Sequence, residues 1–491
     1  MFETSHPFAF FDYFRVPYEL SPRRAGVVPS RTSAPLGRLC TLAREQDPVR
    51  SLYWLRSDMV RGAHSKECQL GRYQFADFTL FGRMVLDTAV PGMLDGIGHG
   101  WRPTEPAAAG DHAVAAAWRD ADGNVFLPFD PGEMMHYFWS EKYRGVGRPS
   151  VSGTIRTMSL RSYYLARPLL PRTLQLRLRR IFTRVQGKST FPAWPLEDSL
   201  HNFYSWLFNL VSELADGPVP FLDLWPDGRS WALVLTHDVE TEAGCRDMNL
   251  LRDIERERGY KSSWNFVPLR YRLEDDVVRA LQAEGCEVGV HGLRHDGRDL
   301  ESRRMVRKRL PAMRDYAKRW NAVGFRSPAT QRHWELMPML GFDYDSSYSD
   351  TDPYEPQPGG CCTCLPYFNR EMVELPITMA QDHTLFAILQ NPDASTWLRK
   401  AQLLRERRGM VLVLTHPDYA HDRRIADGYR HLLDEFAADD TVWHALPREV
   451  AAWWRNRAVS KICCGEDGWR IEGPAAANGR VGFATAGAAR G

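Results

Sequence analysis

The stretch Ala232-Leu233-Val234-Leu235-Thr236-His237-Asp238-Val239-Glu240 opens on an apolar run and ends in two carboxylates. Ala232–Thr236 is short, apolar and bounded by polar residues, which reads as a strand buried on both faces. Two carboxylates at i and i+2 leaving such a strand can converge on one site, one as a base and one as a metal ligand. An Asp and a Glu capping the next helix give the same pattern, so this stretch alone leaves both readings open.

Working outward, the same alternation continues. Strands are expected at Ala232–Thr236, Ser262–Val267, Glu287–His291, Val323–Arg326, Tyr344–Tyr348, Val373–Thr378, Met410–Thr415 and Val442–Leu446. Charged, helix-forming stretches lie between most of them: Leu250–Gly259, Glu274–Glu284, Arg298–Trp320 and Trp397–Arg408. Strands alternating with helices imply βα units and a parallel sheet or barrel, a class that places its chemistry in the loops at the carboxyl ends of the strands.

Four further motifs sit at such ends. Gly289-Val290-His291-Gly292-Leu293-Arg294-His295 holds two histidines four residues apart, a spacing that suits chelation of one metal. Gly324-Phe325-Arg326-Ser327-Pro328 follows a strand, and Gly341–Asp350 is an acidic loop that includes Asp345 and Tyr348. Val411-Leu412-Val413-Leu414-Thr415-His416-Pro417 is a buried strand delivering a histidine. Each has a plain structural explanation when taken singly: an ion pair for Arg326, a solvated turn for the acidic loop, a satisfied core histidine for His416. Five in order, each at a strand terminus, are hard to assign to chance.

That order, Asp-x-Glu, His-x-x-x-His, Arg-x-Pro, Asp-x-Ser and Leu-x-His, resembles the polysaccharide deacetylase pattern (NodB homology, carbohydrate esterase family 4) over roughly residues 230–450. The resemblance implies an α/β fold, a distorted (β/α) barrel, and metal-dependent removal of an N-acetyl group from an amino sugar in a polysaccharide or its precursor. It implies Asp238 as catalytic base, Glu240, His291 and His295 as metal ligands, Arg326 orienting the base and His416 as general acid. Leu414 would lie beside the acetate pocket, with Tyr348 and Asp345 on the substrate side. The cofactor implied is a divalent metal, zinc first, with cobalt or manganese as alternatives. The usual first motif is Thr-Phe-Asp-Asp-Gly. Here the second carboxylate is displaced by one residue, as in an Asp-Val-Asp variant, and His237 stands as an alternative ligand. The acid histidine's partner is one of Asp345, Asp350 and Asp352. Gln381-Asp382-His383 reads as a helix cap rather than a cleft group. Two other functions remain open: a metal-free glycan-binding protein, and a hydrolase of a non-glycan linear amide.

Composition bounds these readings. The chain has 491 residues, 44% hydrophobic and 25% charged, ordinary for a soluble globular protein. Lys plus Arg (63) nearly balances Asp plus Glu (61), which excludes a globally basic nucleic-acid binder. No run approaches the roughly 18 apolar residues that cross a bilayer. The amino terminus has no basic segment of a secretory signal, and nine irregularly spaced cysteines suit reduced thiols, so a cytoplasmic setting is expected. The substrate would then be a glycan or a nucleotide- or lipid-linked sugar. The Cys361, Cys362 and Cys364 group does not carry zinc-type spacing and reads as a buried or loop-lining thiol cluster. Three segments are expected: a mixed α+β amino-terminal region over 1–225, the deacetylase-like domain over 226–457, and a hairpin-like piece with a frayed tail over 458–491. Within the first, Pro103–Gly110 reads as a break. Residues 142–188 hold basic residues and no Asp or Glu, a candidate surface for anionic ligands or membrane headgroups. Oligomeric state is not legible.

Overall fold

A computed structural model describes residues 8–18, 36–40, 50–55, 67–95, 97–146, 180, 183, 191–466 and 468–485. The chain divides into two compact units, each assembled from separate stretches. One comprises Phe2–Pro149, Asp198–Asp223 and Asn456–Gly491; the other comprises Leu224–Arg455 with residues 150–197. The three consecutive segments expected from the sequence are therefore interleaved.

The second unit holds the alternating pattern. Its sheet runs Tyr367–Asn369, Met372–Glu374, Tyr344–Asp345, Gly324–Phe325, Glu287–Val290, Ser263–Phe266, Trp231–Val239, Met410–Thr415 in spatial order. All neighbours are parallel except the first pair, an antiparallel hairpin that sequence reading missed. Val442–His444 pairs with the opening residues of Trp231–Val239, covering the edge that Ser263–Phe266 leaves free. Trp231–Val239 and Met410–Thr415 are buried at every position, as an apolar run in a parallel sheet requires. No ladder joins the Met410–Thr415 strand to the far side of the sheet among the described residues. Thr378 spans that gap instead: its Oγ1 donates to Met410 O (2.7 Å) and accepts from Leu412 N (2.7 Å), while Met379 N donates to Leu412 O (3.1 Å). The result is a distorted (β/α) barrel.

Its helices include Asn249–Glu257, Asp275–Ala283, Arg303–Arg319, Ser395–Glu406 and Arg423–Ala437. Their apolar stripes pack on the outward-facing strand residues: Leu251, Val306, Leu404 and Leu432 share one core cluster with Leu233, Leu235, Val411 and Val413. The alternate strand residues, Leu412 and Leu414 among them, face the barrel interior.

The other unit is a mixed α+β body. Its seven-stranded sheet runs Leu36–Cys40, Ser51–Leu55, Val125–Leu127, His112–Arg119, Arg102–Ala109, Cys68–Phe75, Phe78–Val85, antiparallel except where Ser51–Leu55 meets Val125–Leu127. Helices Pro131–Trp139 and Ser199–Ala215 lie on it, with Phe75, Phe78, Phe129, Phe203 and Trp206 ring against ring. Pro103–Gly110 is no break. It lies mostly in the Arg102–Ala109 strand, whose two prolines fall beside a register shift, on the stretch where only one neighbour pairs. The tail expected to fray from Pro474 instead carries a strand: Val481–Ala484 pairs antiparallel with Val219–Leu222 and sets Val481 opposite Leu222. Lys461–Gly465 and Gly468–Glu472 form the expected hairpin. Most of the basic stretch 142–188 lies outside the described residues. No described helix is long and apolar enough to cross a membrane.

Candidate active site

Strand alternation sorts the first motif. Thr236 and Asp238 share the barrel face, and both receive Arg326 Nη1, at 2.9 and 3.2 Å. His237 projects to the opposite face, stacks on Trp264 (4.1 Å between ring centroids) and hydrogen-bonds Glu255 Oε1 through Nε2 (2.7 Å) and Thr415 Oγ1 through Nδ1 (2.8 Å). His237 is therefore not an alternative ligand: the pleat turns it away from the site. Glu255 is itself saturated, accepting from Tyr429 (2.5 Å) and Ser262 (2.6 Å) as well.

Glu240, just past the strand, meets the two histidines. One donor atom from each of Glu240, His291 and His295 lies within 4.8 Å of the others, and this is the one such His/Cys/Asp/Glu group among the described residues. His295 Nε2 is 2.9 Å from Glu240 Oε1. His291 is buried, and its Nδ1 lies 3.1 Å from the carbonyl oxygen of Arg326. A carbonyl only accepts, so Nδ1 carries the proton and Nε2 presents a bare lone pair. That Nε2 is buried without a hydrogen-bond partner. Burial pushes the His291 pKa down to about 4 despite the pull of Asp238, so the ring is neutral at physiological pH. For Glu240, burial opposes ionisation, but the facing His295, which also hydrogen-bonds it, together with His416 and His291 outweighs burial and holds the carboxyl well below its usual range. Two neutral-capable imidazoles and an ionised carboxylate around an unsatisfied buried nitrogen fit a divalent cation.

Asp238 stands beside this cluster. Burial again opposes its charge, and His291, Arg326 and His416 again outweigh burial, so its pKa lies below the ordinary carboxylate value. Asn265 Nδ2 donates to Oδ1 at 2.9 Å. Parallel register sets Asn265 directly opposite Asp238, and Gly289 leaves the room: a Cβ there would lie 2.0 Å from Asn265 Oδ1. Arg326 is fully buried and fixed at every donor nitrogen, with Nε to Ser346 O (2.7 Å) and Nη2 to Ser346 Oγ (2.8 Å).

His416 closes the site, its Nε2 4.0 Å from Glu240 Oε1. Its partner is none of the three aspartates expected. Asp382 holds it, Oδ1 to Nδ1 at 2.6 Å and Oδ2 to the backbone N at 2.7 Å. Asp382 Oδ1 also accepts from His383 N (2.7 Å), so the cap expected from the sequence and the cleft role belong to one side chain. Burial would lower the His416 pKa, but Asp382, Glu240 and Asp238 raise it to about 10, leaving an imidazolium with Nε2–H aimed inward.

The other expected residues are placed differently. Leu414 is buried on the barrel face of its strand, between Val413 and the histidine-bearing end. Tyr348 is buried among Tyr367, Trp334 and the Arg332 guanidinium, rather than against the cluster. Asp345 does not reach the site. Register sets it opposite Glu374, where two buried carboxyls meet; burial pushes Asp345 up to about 6 and Glu374 well above its usual range, so the pair holds a proton. Asp350 pairs with the buried Lys400 (2.9 Å). Cys361, Cys362 and Cys364 are buried, as the loop-lining reading expects. Two contributors went unread: Asn265, whose signal was a polar residue inside an apolar strand, and Asp418. Asp418 accepts from Glu240 N (3.2 Å) and from the Thr241 hydroxyl, tying the loop after His416 to the end of the first strand.

Neither a family model nor a curated protein matches the chain. Solved structures do align with about half of it. Polysaccharide deacetylases recur among them. A Mycobacterium smegmatis protein assigned as one aligns over 48% of this chain and 93% of its own, at 20% identity and a TM-score of 0.40. A Pseudomonas aeruginosa PAO1 protein assigned likewise covers 47% and 93%, at 19% and 0.38. The Puue allantoinase covers 47% and 92%, at 17% and 0.38. At these identities and TM-scores the geometry of the site, not the likeness, carries the functional argument.

Proposed function

We propose that this chain is a metal-dependent hydrolase that removes an N-acetyl group from an amino sugar. The observation that carries this reading is the Glu240–His291–His295 cluster with its unpartnered His291 Nε2, flanked by an ionised carboxylate, Asp238, and a protonated imidazole, His416.

Glu240, His291 and His295 would hold the cation; two imidazoles and a carboxylate suit zinc, with cobalt or manganese as alternatives. When bound, a divalent cation supplies Lewis-acid polarisation of the acetyl carbonyl and lowers the pKa of water. Asp238 takes the proton of the attacking water, its Oδ1 held by Asn265 and Arg326 so that Oδ2 does the work. His416 donates from Nε2 to the leaving nitrogen, and Asp382 steadies the imidazolium while that proton is in hand. The amide C–N bond breaks, water supplies the acyl oxygen, and the products are acetate and the free amine. Leu414, two residues before this histidine on the barrel face of the same strand, would meet the acetyl methyl. The substrate would be a glycan or a nucleotide- or lipid-linked precursor, met in a cytoplasmic setting.

The test is acetate release from N-acetylated amino sugars by metal-loaded protein beside Asp238→Asn and His295→Ala. Release by wild type alone supports the reading. Ammonia or carbamate release from linear ureides in place of acetate would reassign it to amide hydrolysis. Saturable sugar binding with no bound metal would reassign it to a binding protein.

A further inference from the structure

The loop that carries the two histidines contains two left-handed residues, Gly292 (φ 64°) and His295 (φ 55°). Glycine adopts that conformation freely. A histidine does not, and it stays there only where its neighbours over-determine the backbone. The middle of this loop and its outgoing flank are both held through a single side chain. Arg309 donates through Nη1 and Nη2 to the two oxygens of Asp296, the residue after His295, at 2.7 and 2.6 Å. Its Nη1 also donates to Asp299 Oδ1 at 2.6 Å, and Asp299 Oδ2 accepts from Leu293 N at 3.1 Å, midway between the histidines. The loop has no slack against this grip: a Cβ on Gly292 would lie 2.5 Å from Asp299 Oδ2 and 2.6 Å from Pro328 Cδ.

Arg309 reaches the loop from helix Arg303–Arg319, whose first turn Ser302 caps by accepting from Met305 N (3.2 Å). It sits between Val306 and Met313 on the buried stripe of that helix. An arginine there serves no packing purpose that a leucine would not serve better, and burying it requires paired charges. Asp299 is buried and reaches the middle of the metal-site loop through Leu293 N, while the bidentate arm to the exposed Asp296 holds the flank after His295.

We propose that Arg309 is a positioning residue for the Glu240–His291–His295 cluster, acting through Asp296 and Asp299 to hold His295 in its left-handed conformation with Nε2 turned to Glu240. The inference rests on the metal-site reading above. A group that fixes a ligand without touching the metal shows itself in affinity, and losing such a partner typically weakens binding by about ten- to a hundredfold.

The experiment measures zinc and cobalt dissociation constants by chelator competition, the visible spectrum of the cobalt form, and amide exchange at Leu293. It compares wild type with Arg309→Met, Arg309→Lys and a control, Arg252→Met. The control breaks a bidentate Arg252–Glu284 pair that lies elsewhere in the same unit and touches no ligand-bearing loop. Arg309→Met is expected to weaken cobalt about ten- to a hundredfold and alter its spectrum, with Arg309→Lys intermediate and Arg252→Met within about twofold of wild type. Equal affinity in Arg309→Met and wild type, or an equal loss in Arg252→Met, would overturn the proposal. Should Arg309→Met fail to fold, Arg309→Lys carries the same comparison. Should wild type bind no metal, the metal reading falls by itself. Amide exchange at Leu293 then decides the clamp: faster exchange in Arg309→Met but not Arg252→Met sustains it, and unchanged exchange overturns it.

Discussion

Glu287 offers a stability test that is independent of the site's chemistry. It opens the Glu287–Val290 strand, four residues before His291, and is buried. Its carboxyl accepts from the Tyr344 hydroxyl (2.7 Å) and from Arg448 N (3.0 Å). Burial dominates these hydrogen bonds and raises the pKa from the ordinary 4.5 to about 7. The folded state therefore holds this proton more tightly than the unfolded chain does. Stability from this group is fully present below pH 4.5 and is lost as pH rises through about 7. The interval of about 2.5 pH units, at about 1.4 kcal/mol each, amounts to about 3 kcal/mol. Glu287→Gln abolishes the titration. The amide oxygen still accepts from Arg448 N, while the amide nitrogen meets the Tyr344 oxygen, whose proton must turn elsewhere, a cost of about 1 kcal/mol. The variant should be no more stable than wild type at pH 5 and about 2 kcal/mol more stable at pH 8. Urea unfolding followed on tryptophan fluorescence between pH 5 and 8.5 measures the difference. A wild-type-to-variant difference that stays constant across that range would refute the reasoning, because a group that does not titrate there cannot generate a slope.

Other outcomes follow from the same structure. Asp238→Asn should lose acetate release by about a thousandfold or more while keeping its metal, since it removes the base and no ligand; acetate assay beside elemental analysis separates the two. Asp382→Asn should lower kcat by about a hundredfold with KM little changed, because the His416 imidazolium loses its partner and not the substrate. Saturating zinc at about a hundred times Kd should raise the unfolding free energy of wild type by about 3 kcal/mol and leave His295→Ala unmoved, read by thermal melts. Lys400→Met leaves Asp350 buried without its cation and should cost about 3–5 kcal/mol, much of which Asp350→Asn in the same chain should restore.

The barrel was legible because its strands are apolar runs whose burial needs no partner to be named. Met410–Thr415 was bounded correctly to the residue, and the eight expected strands all occur, most of them trimmed at one end or both. Glu240, His291, His295, Arg326 and His416 were legible for a related reason: a strand end is a local feature, and a charged residue after an apolar run marks it. The partners were not legible. Asp382 holds His416 across 34 residues of sequence, and Asp345, one of the three expected partners, is drawn instead to Glu374 by parallel register. Which of several buried aspartates meets a given histidine depends on that register and on where the barrel wall is interrupted, and neither is written in spacing. The amino-terminal unit was illegible for a third reason. Its tail strand, Val481–Ala484, completes a pair with Val219–Leu222, more than 250 residues earlier in the chain, and a four-residue Gly- and Ala-containing strand shows no periodicity of its own.

The first motif shows how a two-residue period assigns two chemistries to adjacent positions. Asp238 faces inward, where Asn265 and Arg326 fix one oxygen. His237 faces outward into a saturated group with Glu255, Tyr429, Ser262 and Thr415. Thr415 immediately precedes His416, so the outward group ties the strand that carries the base to the strand that carries the acid, behind the catalytic face. A phenylalanine at 237 would keep the stacking on Trp264 but break that tie and leave Glu255 with one donor fewer. The inward residues alone therefore do not define the spacing between Asp238 and His416; it is set from both faces of the sheet. A substitution on the outer face should accordingly change catalysis without touching a ligand, a base or an acid.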